Sequence, residues 1–485
     1  MRVRYTPVDS GDGFVKAEIV GRRLLIRSYL NLILWSLTVI LVAALYVGGV
    51  FTFLFEEDFT NYSHAVEIDN FRRVIEAIDR NGLANLKYIS TGARRFDKAA
   101  IEDTIATLEH ENPSLKDVAP LDQFEGLDYT IDINPKCKEQ WGSERIASTL
   151  GSSKITDGSS YATIIIIVKS AVNNYALRQA IRSSWYLNET RDDLIAIKTV
   201  FMVGRCHEKN PVSPSVPLTK DSNAWSAELC NRTIRNESTQ YGDIIQSSGI
   251  DTYYNNTIKT FMTYRWIVER CPSDFILTID DDYVFEVDNF LTYLKDLVSI
   301  ESTNLAPNPS LLLNSRHKQE HQQKLAFSSG EHRGSQDKLQ RTKEDNIKTL
   351  NNFHALSNKY LYAGFMRNYV PPLRSVFSKW YISCEDYAYN RYPPFISGGA
   401  CLMSFKTVKH FYLASYFERL FPFDDVYVGM LAYKLGFLPE HKESFMCPIN
   451  MYLAATPSYA NSTSCIGVHG IKPDELMRLW RQRKA

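Results

Sequence analysis

Phe275-Ile276-Leu277-Thr278-Ile279-Asp280-Asp281-Asp282, FILTIDDD, is an apolar run that stops abruptly in three carboxylates. A short, continuous apolar segment of this kind reads as a strand buried on both faces. Period-two alternation along its end sets Asp280 and Asp282 on the same side. Hard oxygen ligands so placed suit Mn²⁺ or Mg²⁺, which take few carboxylates and complete their shells with water and phosphate oxygens. The same triplet also reads as an exposed acidic turn ahead of the next helix, where carboxylates favour the positive N-terminus.

The residues on either side repeat the theme. Tyr161–Val168 (YATIIIIV) is a second buried strand, and Asn174–Ser184 has helical spacing, with Leu177 and Ile181 on one side and Arg178 and Arg182 on another. A strand follows over Lys198–Val203, a short one over Asp243–Ser247 and a helix over Thr257–Glu269. Beyond the triplet a helix covers Asn289–Val298. Strands alternating with helices predict an α/β domain with a mostly parallel sheet, whose sites lie beyond the carboxyl ends of its strands. Asp280–Asp282 occupies such an end.

Toward the N-terminus the chain changes character. Tyr29–Phe55 runs 27 residues without a charge. As a helix it is about 40 Å long at ~1.5 Å per residue, enough to cross a bilayer with tilt. Arg2, Arg4, Lys16, Arg22, Arg23 and Arg27 precede it, and Glu56-Glu57-Asp58 follows it. That asymmetry predicts a single-pass anchor at 29–55, a cytoplasmic tail at 1–28, and a lumenal remainder. Sequons begin at Asn61, Asn188, Asn231, Asn236, Asn255 and Asn461, all on the predicted lumenal side. The eight cysteines then lie in an oxidising space, and with no zinc-type spacing they read as disulfide formers.

Residues 56 to 127 read as a stem, with Phe71, Val74, Ile75 and Ile78 on one helical face and a second short helix over Ala99–Leu108. Residues 315–356, polar and without apolar period, read as a solvated insertion loop. Lysine plus arginine equals aspartate plus glutamate at 55 each, so nothing in the totals supplies the basic face of a nucleic-acid binder. At 12% aromatic the chain is no low-complexity polymer either.

Several blocks together resemble the β1,3-galactosyltransferase and β1,3-N-acetylglucosaminyltransferase family of inverting enzymes. They are RQAIRSSW (178–185), VFMVG (200–204), YGDII (241–245), YNNTIKT (254–260), the Asp triplet, YPPF with Gly398-Gly399, DDVYVG (424–429), and His469 ahead of Lys472-Pro473. The resemblance spans about residues 128–485 and implies a GT-A type nucleotide-sugar domain there. It departs at Tyr186, where the family usually has Gly, and at Asp424, where Glu is more usual. It further implies a UDP-sugar donor, a glycan acceptor on a glycoprotein or glycolipid, a Golgi membrane location, and Mn²⁺ or Mg²⁺ held by Asp280, Asp282 and His469.

On the same footing Arg178, Arg182, Lys259 and Asp281 would serve the nucleotide-sugar, and Gly398 and Gly399 would let backbone approach the sugar. Asp425 would be the general base, with Asp424 as its fallback. Against these stand plainer readings: a salt bridge for the two arginines, a turn for the glycines, a helix cap for the acidic pair, and core packing for Trp185. The function so implied is transfer of galactose or N-acetylglucosamine to O3 of a glycan with inversion. Its rivals are a Fringe-like β1,3-hexosyltransferase with another donor and a catalytically silent lumenal lectin-like partner.

Overall fold

The computed structural model describes residues 11–47, 54–65, 68–82, 105–107, 110, 120–133, 161–191, 194–207, 227–304, 334–449 and 465–484. They form two compact units, Met1–Ala65 with Val370–Tyr392, and Val66–Tyr369 with Pro393–Ala485.

The first unit holds α1 (Gly11–Val47) and α2 (Phe59–Ala65). Arg27–Leu45 within α1 has a mean hydropathy of 2.0 and none of it is buried, so it is long and apolar enough to cross a membrane. The helix begins well before the uncharged run that marks it in the sequence. In the same unit Glu56 pairs with Arg374 at 2.8 Å, and Glu57 bridges to Tyr389.

The second unit opens with α3 (Ile68–Gly82) and continues through β1 (Tyr129–Ile131), β2 (Ala162–Lys169), α4 (Tyr175–Arg182), β3 (Asn188–Arg191) and β4 (Ile195–Arg205). Next come α5 (Ala227–Tyr241), β5 (Ile244–Ile250), α6 (Asn256–Arg270), β6 (Phe275–Asp280), β7 (Tyr283–Phe285), α7 (Val287–Asn304) and α8 (Gly334–Ser357). Strands β8 (Tyr362–Arg367) and β9 (Phe395–Ser404), helices α9 (Phe405–Ala414) and α10 (Asp424–Lys434), then β10 (Glu440–His441), β11 (Gly467–His469) and α11 (Pro473–Lys484) complete it.

The main sheet runs β1-β5-β4-β2-β6-β9-β8-β10, with β3 hairpinned onto β4. Its centre, β5-β4-β2-β6, is parallel. Strand β2 is buried from Ala162 to Val168, as a strand covered on both faces by helices must be. The order from β2 proceeds to β4 and β5 on one side, then jumps to β6 on the other. That reversal leaves a crevice beyond the carboxyl ends of β2 and β6, where ligands bind in open α/β sheets. The register across it pairs Lys169 with Asp280.

The structure corrects two expectations of organisation. Helix α3 is no free spacer: Val74, Ile75 and Ile78 are buried, and the helix packs on α9 and α10. Asp79 accepts from His410 at 3.0 Å and pairs with Lys409 at 2.8 Å. Residues 334–357 of the supposed loop form α8, which buries Phe353 and Leu356 in the core. These two buried residues lie in its last two turns, behind a mostly polar stretch, so a polar average hides them. Of the second stem helix only 105–107 falls within the described residues, and it is helical. Strand β3, NETR, is a polar edge strand with no alternation to betray it.

Disulfides join Cys206 to Cys230 and Cys447 to Cys465, and Cys271 is also disulfide-bonded. Asn61, Asn188 and Asn236 are exposed, and Asn461 lies outside the described residues. Asn231 is tied into the fold through both ends of its side-chain amide. Its Nδ2 donates to the Ala227 carbonyl at 2.8 Å, and its Oδ1 accepts from the Cys206 amide at 3.1 Å and Gln246 at 3.0 Å. The Asn255 amide is likewise engaged, donating to the Ile250 carbonyl at 2.9 Å.

Candidate active site

Five segments converge on the crevice. Strand β2 ends at Lys169 and β6 at Asp280, side by side in register. Strand β11 pairs antiparallel with β7, setting His469 opposite Tyr283, one residue past Asp282. Strand β9 runs antiparallel to β6 with Ala400 opposite Ile279, so Gly399 and Gly398 continue alongside the acidic end. The first turn of α10, which packs on β9, supplies Asp424 and Asp425.

Asp280, Asp282 and His469 present one ligand atom each, all within 4.8 Å of one another. His469 Nε2 lies 3.2 Å from Asp282 Oδ1 and 3.5 Å from Asp280 Oδ2. Hydrogen bonds to the two carboxylates push the imidazole pKa up to about 10. Two hard oxygens and an imidazole nitrogen fit a divalent cation such as Mn²⁺ or Mg²⁺, whose charge would displace that proton. A Cβ on Gly399 would stand 3.0 Å from the His469 ring, so the ring rests against bare backbone. Neither glycine makes a turn, since both lie within β9. A Cβ on Gly398 would lie 3.8 Å from Asp280 Oδ2 and 3.9 Å from Asp425 Cβ, which puts this residue between the cluster and the acidic helix start.

Lys169 is the functional residue that sequence reasoning missed. Its Nζ is 3.1 Å from Asp280 Oδ1 and 2.7 Å from Asp424 Oδ2. Burial works against the charged amine, but the two carboxylates outweigh it and hold the pKa well above the ordinary value. The signal is in the sequence: a lone lysine closing an otherwise uncharged, buried parallel strand stands at the end where sites form. Asp280 is correspondingly held below the usual carboxylate range, because Lys169 and His469 overcome its desolvation.

The two α10 acids differ in surroundings. Asp424 accepts from Lys169 and from the Thr260 hydroxyl at 3.0 Å. Asp425 has its Oδ1 on the Val426 amide at 2.8 Å. Burial, reinforced by the neighbouring Asp424 charge, pushes the Asp425 pKa up to about 7. Neither is the helix cap, which is Phe423 with no side-chain cap bond.

Arg178 and Arg182 are both committed to carboxylates, as the plainer salt-bridge reading has it. Arg178 is fully buried, donating from Nε and Nη2 to Glu237 at 2.9 and 2.8 Å, and to Ser170 Oγ at 2.9 Å. Arg182 pairs with Asp243 at 2.7 Å and Glu237 at 2.8 Å and lies over the Tyr241 ring. Lys259 is spent on Asp251 and the Ser170 carbonyl, both at 2.9 Å. Asp281 turns away from the cluster and accepts from Ser170 Oγ at 2.6 Å and Asn174 at 2.9 Å. Burial raises the Asp281 pKa to about 6 against those bonds. These four residues brace the loop after β2 from behind: Glu237 holds Arg178, Arg178 holds Ser170, and Ser170 holds Asp281. The physical reason is burial, since a guanidinium without solvent takes the nearest carboxylate. Trp185 is core, its indole N–H on the Tyr283 carbonyl at 3.1 Å.

A family model described as Galactosyltransferase matches residues 223–329 and 342–443. Those stretches take in Asp280–Asp282, Gly398-Gly399 and Asp424-Asp425, and the gap at 330–341 is far shorter than the insertion read at 315–356. Over these stretches the chain resembles the galactosyltransferase family, and it is a glycosyltransferase built on a mixed α/β domain. Among curated relatives, beta-1,3-galactosyltransferase brn of Drosophila melanogaster is 29% identical over 323 residues, 66% of this chain and 74% of that protein. Beta-1,3-galactosyltransferase 1 of Homo sapiens is 26% identical over 318 residues, 65% of this chain and 72% of that protein. A solved galactosyltransferase, LgtC with donor and acceptor sugar analogs, covers 66% of this chain and 95% of its own at 10% identity and TM-score 0.27. So distant a likeness carries no argument about function.

Proposed function

We propose that this glycosyltransferase moves galactose from UDP-galactose to O3 of a glycan acceptor on a glycoprotein or glycolipid, with inversion, in the Golgi lumen. A type II orientation through α1 belongs to the same reading. The observation that carries it is the pairing, in one crevice, of a cation-type cluster (Asp280, Asp282, His469) with a separate carboxylate, Asp425, poised near neutrality. UDP-galactose is preferred over UDP-N-acetylglucosamine because the relatives above carry the name β-1,3-galactosyltransferase.

Inverting transfer needs a base on the face of the sugar opposite the leaving group. Asp425 takes the acceptor hydroxyl proton as that oxygen bonds to the sugar's anomeric carbon and the bond to the diphosphate breaks. With its pKa near 7 it is about half ionised at neutral pH and basic enough to pull a proton. Lys169 and Thr260 hold the Asp424 side chain beside it, and the Asp424 charge helps to keep Asp425 raised. Asp280, Asp282 and His469 would hold Mn²⁺ or Mg²⁺, which when bound neutralises charge growing on the departing diphosphate.

The test is UDP release by the full-length enzyme with Mn²⁺ across a panel of UDP-sugars, followed by linkage analysis of the product. UDP-galactose should dominate and yield a β1,3 bond. Preference for another donor supports the Fringe-like alternative, and no release with any donor supports a silent lectin-like partner.

A further inference from the structure

Residues 370–392 fold with the residues that follow the membrane-type helix, and they leave a patch of apolar side chains uncovered. Glu56 is the first charge after the uncharged run of 29–55. It accepts from Arg374 Nε, whose other nitrogens donate to the carbonyls of Ser383 at 2.8 Å and Tyr387 at 2.7 Å. The Glu57 amide donates to the Ala388 carbonyl at 2.9 Å, and the Asn390 amide returns to Glu57 at 2.8 Å. Phe59 and Tyr62 are buried, Tyr62 against Tyr389 with ring centroids 5.0 Å apart, and Arg391 covers the Phe59 ring. The segment is therefore fastened to the point where the chain leaves the apolar run.

On this fastened segment Phe377 is 83% exposed, Val376 51% and Trp380 47%, with Leu373 and Tyr381 beside them in sequence and also exposed. A bridge between Leu373 and Tyr381 closes the stretch into a loop, and Lys379 Nζ stands 4.3 Å from the Trp380 ring. A soluble surface seldom shows five large apolar residues within nine positions. Tryptophan and tyrosine with a lysine among aliphatic and phenyl groups is the composition of a bilayer interface, where amphipathic rings sit at headgroup level and lysine reaches the phosphates.

We propose that the loop 373–381 docks into the lumenal headgroup region of the membrane that α1 crosses, inserting Phe377 and Val376 and setting Trp380 and Tyr381 at the interface. The proposal rests on α1 spanning the bilayer. Elements that lie on a membrane bury their apolar side by roughly 5–10 Å, a depth that side chains of this loop reach without any backbone entering the hydrocarbon. Docking would fix the enzyme's first unit against the bilayer at two points, the helix and the loop.

The experiment uses the full chain in phosphatidylcholine nanodiscs, in a Cys384→Ser background. An environment-sensitive fluorophore is attached at Phe377→Cys, at Val376→Cys in a second variant, and at Val39→Cys within α1. The labels at 377 and 376 should emit blue-shifted in the bilayer interface and be quenched by lipids carrying a nitroxide near the headgroup, with little quenching by iodide in solution. A nitroxide at the chain end should quench the label at 39. Quenching at 39 with aqueous, iodide-accessible labels at 377 and 376 overturns the docking and leaves the anchor standing. Labels at 377 and 376 shielded from both iodide and lipid overturn it too, in favour of a protein partner. No lipid quenching at 39 overturns the anchor and the docking together.

Discussion

Asp424 and Asp425 are neighbours that the structure separates by one lysine. Because Lys169 holds Asp424, removing that acid does more than trim a helix end: it deletes the negative charge that helps raise Asp425 and frees a cation beside it. Asp424→Asn should therefore move the acid limb of kcat/KM from near pH 7 to lower pH, measured with saturating Mn²⁺. An unmoved limb would detach Asp425 from that limb. Stability reports the same carboxylate independently. A folded pKa raised above the unfolded value binds a proton in the native state, so stability is complete below about pH 4 and is lost as pH rises toward 7. The melting temperature of Asp425→Asn relative to wild type, both without metal, should rise across that window and then level. A flat difference from pH 4 to 8 would contradict the raised pKa. Gly399→Ala is a third probe: the added methyl would crowd the His469 ring at 3.0 Å, so Mn²⁺ affinity should fall while the melting temperature changes little. Calorimetric titration with Mn²⁺ reads it, and unchanged affinity would mean the ring shifts freely.

Elements were legible in proportion to how plainly they were buried. Strands β2, β4 and β6 are predominantly apolar and buried along nearly their whole length, and each is legible from its residues within a few positions of its bounds. The central parallel sheet followed from their alternation with helices. Edge strand β3 and helix α8 escaped because polar residues dominate both. The partner of Arg178 is hidden for a related reason: a sequence shows that two arginines share a helix face but not that the facing helix, α5, brings Glu237 to meet them. Lys169 was passed over because its partner Asp424 lies 255 residues away. Helix α3 carries the clearest consequence. Since Ile75 is wholly buried against the α/β unit, Ile75→Ala should cost about 2–5 kcal/mol, read by denaturant unfolding. A loss under about 0.5 kcal/mol, as at ordinary surface positions, would return the segment to the role of a spacer.

At the scale of the whole molecule, the fold delivers chemistry from five separate segments of chain to one crevice, and the membrane-type helix belongs to a separate compact unit. The sequons test which side of a membrane the α/β unit occupies. Peptide mapping after expression in animal cells should find glycans at Asn61, Asn188 and Asn236 but not at Asn231, whose amide is committed to the Ala227 carbonyl. An unglycosylated chain would contradict the lumenal placement. The central claim, that the cation cluster and the base are distinct parts of one transferase site, is tested most directly by Asp425→Asn, with transfer from UDP-galactose measured beside Mn²⁺-dependent UDP affinity. The account predicts that transfer falls by about 10²–10⁴-fold while UDP affinity stays near wild type. Near-normal transfer by Asp425→Asn, or a collapse of UDP binding in step with activity, would contradict it.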